Sequence, residues 1–195
     1  MQFNRLILIL ILLAFGCSDP GYLGSGSPEA SQEVVADSLQ LYANEGLVYY
    51  QGAPFSGISV AYYPDGTKAV SIEYSEGKKE GKEYRWFENS LLSYEANYSQ
   101  GKKNGASHTW WRNGQMRSSS HFKEGIANGT QRQWYASGAK FKVIQIQDGK
   151  ELGLQQSWRE NGKIYNNYEV KDGRIFGLKR SKLCFQLKDG ELADL

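Results

Sequence analysis

Apolar and polar positions in this chain recur with a period of 24 residues. Gly57, Gly81, Gly105, Gly129, Gly153 and Gly177 keep that spacing without exception. Five residues after the first five glycines come Tyr62, Trp86, Trp110, Trp134 and Trp158, and one residue later come Tyr63, Phe87, Trp111, Tyr135 and Arg159. Gly66, Ser90, Gly114, Gly138 and Gly162 form a further column, and Gly77, Gly101, Gly125, Gly149 and Gly173 another. Within each period the side chains alternate, as in Ser93-Tyr94-Glu95-Ala96-Asn97-Tyr98. Period two between glycine-marked turns predicts two strands per repeat, hence tandem β-hairpins.

Short turns at both ends of every strand make neighbours antiparallel and sequential. The expected fold is all-β, an elongated meander in a single twisted sheet. Two strands per repeat add roughly 10 Å each time. The mid-repeat turns, such as Pro64-Asp65-Gly66 and Arg112-Asn113-Gly114, suit a three-residue loop closed by a left-handed glycine. Carried inward by simple alternation, that loop sets Tyr84 and Trp86 on the face of Tyr94, Ala96 and Tyr98. The tryptophan column then interleaves with Ile72, Ala96, Ser120, Ile144 and Tyr168 on an apolar face. The second aromatic column, Tyr63, Phe87, Trp111 and Tyr135, falls on the opposite, polar face with Ser93, Glu95 and Asn97. Ser90 occupies a glycine position, which predicts mild strain or a different turn there.

The two ends of the chain differ from the middle. Arg5 precedes an unbroken apolar run, Leu6 to Phe15, which stops at Gly16-Cys17. The run is too short to span a bilayer and suits a signal-peptide core. Its junction resembles the lipobox of bacterial lipoproteins, which implies cleavage before Cys17 and lipidation of that residue. The expected organisation is therefore a signal peptide over 1–16 and a lipidated Cys with a Gly-, Ser- and Pro-rich linker over 17–37. A repeat domain follows over 38–195. It divides into an N-terminal cap hairpin (38–56), turning at Asn44-Glu45-Gly46, and repeats 57–80, 81–104, 105–128, 129–152 and 153–176. A C-terminal cap (177–195) ends it, where Phe185 to Gly190 echoes Tyr168 to Gly173 and supplies a last strand that closes the array. Cys184 is then a lone thiol, read as a small buried residue.

Composition narrows function mainly by exclusion. With 23 Lys and Arg against 21 Asp and Glu, the net charge is +2. There is no clustered basic footprint for nucleic acid. His108 and His121 lack partners at metal-ligand spacing, so neither a metal site nor a cofactor is expected. No catalytic or nucleotide motif occurs, so the chain reads as a non-enzyme. Lys78-Lys79 and Lys102-Lys103 form a basic edge, either a solvated turn row or a surface for anionic lipid. An aromatic row on a polar face is a binding-surface signature, which makes Tyr63, Phe87, Trp111 and Tyr135 the candidate binding residues.

The stretches GASHTWWRNG from Gly105 and YSEGKKEG from Tyr74 resemble the MORN-repeat variant family over about residues 45 to 177. The resemblance implies elongated sheets of β-hairpins that act as interaction modules, sometimes with membranes. The expected role is a non-catalytic, lipid-anchored interaction module of the bacterial cell envelope, with outer membrane placement facing periplasm or cell surface. Its partner would be an envelope protein or glycan. Bacterial relatives in that family are often labelled antitoxin components, which adds the alternative of an antitoxin or immunity role. A membrane-lipid-associating structural role is a further alternative.

Overall fold

The computed structural model describes residues 32–180 and the backbone of 186–188 and 191–193. The signal segment, Cys17, the linker to residue 31, Cys184 and Phe185 lie outside the described residues. In chain order the strands are β1 (Glu33–Val35), β2 (Gln40–Tyr42), β3 (Leu47–Tyr50), β4 (Ala53–Pro54), β5 (Gly57–Tyr62) and β6 (Lys68–Ser75). Then come β7 (Lys78–Trp86), β8 (Leu92–Ser99), β9 (Lys102–Trp110), β10 (Met116–Lys123), β11 (Ile126–Ala127) and β12 (Gly129–Trp134). The last are β13 (Lys140–Gln147), β14 (Lys150–Trp158), β15 (Ile164–Lys171), β16 (Arg174–Leu178), β17 (Gln186–Lys188) and β18 (Glu191–Ala193). One open 13-stranded sheet dominates, a meander of antiparallel strands from β5 to β16.

Both families of turns follow from their residues. Between hairpins, Glu76-Gly77 has φ of 49° and 79°, and Gln100-Gly101, Glu124-Gly125, Asp148-Gly149 and Asp172-Gly173 repeat it. Two successive positive φ values define the two-residue turn whose twist matches a hairpin. Within hairpins, Tyr63 N–H donates to Thr67 O at 2.8 Å and Gly66 N–H to Tyr63 O at 2.9 Å, a three-residue loop closed by a left-handed glycine. Ser90 adopts φ 62° within the same turn, so the strain is absorbed and the geometry kept.

One residue inside each of these loops, the register shifts. Trp86 faces Leu92, but Arg85 faces Tyr94 and Glu83 faces Ala96. The same shift recurs at Tyr62, Trp134 and Trp158, and beside Met116. Such a bulge inverts the expected parity. The two aromatic columns therefore exchange faces. The tryptophans lie with Lys82, Glu95 and Asn97 on what we call the outer face, where Trp86 packs 5.8 Å from Tyr84 and Trp110 6.0 Å from His108. Ile72, Ala96, Ser120, Ile144 and Tyr168 share the inner face with Glu83 and Arg85, not with tryptophan.

A second irregularity occupies each junction between repeats. From the Ile72–Glu83 pair to the Tyr74–Lys79 pair, β6 has one intervening residue and β7 has three. Pairs Ala96–Ser107 with Tyr98–Lys103, and Ile144–Gln155 with Ile146–Glu151, repeat the feature. The extra residues centre on the periodic glycine, with φ 93° at Gly81 and 73° at Gly153. Two residues later stands the most buried column of the molecule: Ser59, Glu83, Ser107, Gln131 and Gln155. All five are polar. They reach 7% exposure or less. The column stands beside the junction bulges on the inner face of the ladder.

Both caps depart from expectation. Residues 33–35, assigned to the linker, form β1, a parallel edge strand on β5. The cap hairpin turns at Asn44-Glu45-Gly46 as expected but forms a separate three-stranded sheet, β2-β3-β4. At the other end the large sheet stops at β16. The segment expected to close it instead pairs with itself as β17-β18.

Candidate functional site

Tyr63, Phe87, Trp111 and Tyr135 stand at the hairpin-turn end of the sheet, half-buried. Phe87 follows Arg85 by alternation, so the column belongs to the inner face and not with Glu95 and Asn97. Its polar atoms are spent on the fold. Tyr63 Oη donates to Trp86 O at 2.7 Å, Trp111 Nε1 to Trp134 O at 3.1 Å and Tyr135 Oη to Trp158 O at 2.9 Å. Each ring thus ties its turn to the next repeat, 23 residues on. Phe87 has no donor and instead lies 5.5 Å from the Arg112 guanidinium. Tyr63→Phe is expected to cost about 1 kcal/mol, the worth of one such bond. Urea unfolding measures it, and an unchanged midpoint would deny the bond any structural role.

The first half of the inner face is filled. Arg85 and Tyr94 sit opposite each other in the ladder, with the guanidinium 5.3 Å from the ring. Lys103 lies between Tyr94 and Phe122, at 5.2 and 5.1 Å. The fully buried Glu83 accepts from Lys79 Nζ at 2.6 Å and from Arg85 Nη2 at 2.6 Å. Burial alone would raise its carboxyl, but these hydrogen bonds and charges outweigh it and hold the group below the ordinary glutamate value. A depressed folded-state value means the stabilisation is present at neutral pH and lost as pH falls below that ordinary value, about 4.3. We expect the urea midpoint to drop more steeply between pH 7 and pH 3 in the parent than in Glu83→Gln. Parallel curves would contradict the assignment.

The second half of the same face is open. One transverse row can be followed strand by strand through the register. Thr109 faces Ser118, Ser118 faces Gln133, Gln133 faces Lys142, Lys142 faces Ser157 and Ser157 faces Asn166. Arg85 and Tyr94 occupy the same row further back. Where the first half has Arg85 and Tyr94 this half has Gln133, Lys142, Ser157 and Asn166, and a groove of about 940 Å³ lies over β12 to β16. Phe141 and Tyr165 border it on the turn side, Ile144, Tyr168 and Ile175 on the other. Gln155 forms its floor.

The groove is held rigid from beneath and at its far end. The Gln155 amide donates to Gln145 O at 2.9 Å and accepts from Gln145 N at 3.1 Å, closing the junction bulge. Tyr168 Oη donates to Glu151 at 3.0 Å. Burial first, then that carboxylate, pushes the phenol up to about 12, so it keeps its proton. Lys179 caps the Tyr168 ring at 4.7 Å and reaches Glu151 at 3.6 Å. Arg180 donates its backbone N–H to Asn166 Oδ1 at 2.7 Å and its Nε to Tyr165 O at 3.1 Å. Phe141 packs 5.0 Å from Tyr135 yet stays 39% exposed.

Of these groove residues the repeat pattern singled out Ile144 and Tyr168 as an apolar column, whereas Gln133, Phe141, Lys142, Tyr165 and Asn166 lie in columns that change identity from repeat to repeat. His108 faces outward beside Trp110, its Nδ1 without a hydrogen-bond partner among the described residues. Among those residues no group of three His, Cys, Asp or Glu side chains is placed to hold a metal ion. No model of a known protein family matches the chain, and no curated protein matches it.

Proposed function

We propose that this chain is a non-catalytic repeat protein, lipid-anchored through Cys17 in a bacterial cell envelope, that holds another envelope component on the inner face of its sheet. The resemblance to MORN-repeat variants supports an interaction role, and the lipobox-like junction at Gly16-Cys17 supports the anchor. One observation carries the reading. The same hairpin register recurs from β5 to β15, whereas its inner row passes from packed Arg85 and Tyr94 to an open groove at Gln133, Lys142 and Asn166. A rigid floor under an open polar row is what a binding surface needs.

Capture from cells tests both parts. The full chain, Cys17→Ser and the groove variant Phe141→Ala/Lys142→Glu are compared. We expect the parent in the membrane fraction, bringing with it an envelope component that the folded groove variant leaves behind. Cys17→Ser should leave the membrane. Membrane recovery unchanged in Cys17→Ser would end the anchor, and unchanged capture by the groove variant would end the binding role.

A further inference from the structure

We propose that the groove binds an extended acidic glycan, laid across the strands rather than along them. This assignment rests on the inner face being the binding surface and names the ligand class it takes.

Direction is the first argument. Gln133, Lys142, Ser157 and Asn166 form a straight polar row perpendicular to β12 to β15. The backbone groups beneath them are committed to the ladder, so only side chains read the ligand. An extended peptide draws its affinity from main-chain bonds at a sheet edge, which this row does not offer. A sugar chain is recognised by amides, hydroxyls, cations and ring faces, all of which the row and its border supply.

Unspent groups are the second. The Gln133 amide and the Lys142 ammonium make no side-chain hydrogen bond or ion pair among the described residues. Phe141 presents an open ring beside them, a platform for the apolar face of a pyranose.

Charge and spacing are the third. Lys142, Lys179 and Arg180 stand against the single carboxylate of Glu151 in the groove, three positive to one negative. Lys179 is engaged with Glu151, which leaves Lys142 on β13 and the terminal nitrogens of Arg180, held at Asn166 on β15. Two strand spacings separate those strands, roughly 10 Å. That matches the length of one disaccharide in an extended β-1,4-linked glycan. A carboxylate on every second sugar would meet a cation at each step.

Isothermal titration of the full chain tests this with two hexasaccharides. One alternates N-acetylglucosamine and N-acetylmuramic acid with free lactyl carboxylates and no peptide. The other is neutral chitohexaose. We expect the acidic glycan to bind at least roughly tenfold tighter, the scale of one charge-assisted hydrogen bond. Lys142→Gln should lose that preference, Lys142→Arg should keep it, and both should unfold at the parent's temperature. Equal binding of the two glycans, binding undiminished in Lys142→Gln, or no binding of the acidic glycan would each overturn the assignment. If the acidic glycan fails while the groove variant still loses its captured envelope component, the ligand class falls and the interaction role stands. If that variant loses nothing, both fall.

Discussion

Gln155→Leu is expected to destabilise the protein by about 3 kcal/mol or more, although it exchanges a polar core residue for an apolar one of similar size. Gln155 is 1% exposed, and its amide satisfies both the N–H and the C=O of Gln145. It also donates to Leu152 O at 3.1 Å and Gly153 O at 3.3 Å. Gln145 stands alone opposite the extra residues of β14, so the ladder itself offers it no partner there. Leucine would leave these backbone groups buried and unpaired, each at a cost of about 1–3 kcal/mol. Gln133→Leu, one strand pair away on the open groove, should be close to neutral. Urea unfolding of the two variants decides the matter. A mild Gln155→Leu would mean that the bulge closes without its plug.

The second large effect concerns two glycines that the repeat makes equivalent. Gly77 and Gly101 hold the same turn position, at φ 79° and 77°. Around Gly101 a new Cβ would meet nothing within 4 Å, so Gly101→Ala should cost only about 1 kcal/mol of backbone strain. At Gly77 the Cβ would stand 2.9 Å from Val48 O and 3.1 Å from Leu47 Cβ. There the turn is clasped by the small sheet: Gly77 N–H donates to Phe55 O at 2.8 Å and Val48 N–H to Gly77 O at 2.9 Å. Gly77→Ala should therefore cost roughly 2–4 kcal/mol, the range for strain combined with a packing clash. Hydrogen exchange at Val48 should rise with it. Equal losses at the two glycines would mean that the small sheet does not grip the turn.

The sequence carried a good deal of this architecture. Glycine after a turn-former marks a left-handed position directly, so strand order, both turn families and the 24-residue period were legible. The bulge beside each hairpin loop was not. It falls on Lys68-Ala69, Leu92-Ser93, Met116-Arg117, Lys140-Phe141 and Ile164-Tyr165, pairs with no common chemistry. Alternation read outward from the turn therefore put Trp86 on the wrong face. The polar column from Ser59 to Gln155 keeps the 24-residue spacing, but polar residues give no sign in the sequence that they are buried. The groove was hidden for a different reason. Repeat analysis rewards sameness, and Gln133, Lys142 and Asn166 matter because they differ from Arg85 and Tyr94.

The N-terminal cap was legible as a hairpin but not in its placement, and the C-terminal cap, expected as one closing strand, is a strand pair of its own. Strand pattern alone does not say that β1 takes the sheet edge beside β5 and so leaves β2-β3-β4 to form a sheet of their own.

The register of the hairpin ladder decides which side chains share a face, and disulfide trapping reads it directly. Thr109 Oγ1 and Ser118 Oγ lie 2.6 Å apart across β9 and β10. In a chain with Cys17 and Cys184 replaced by Ser, Thr109→Cys/Ser118→Cys should form an internal disulfide on mild oxidation, and His108→Cys/Ser118→Cys should not. A bridge in the second pair and none in the first would restore the unshifted ladder and remove the groove with it.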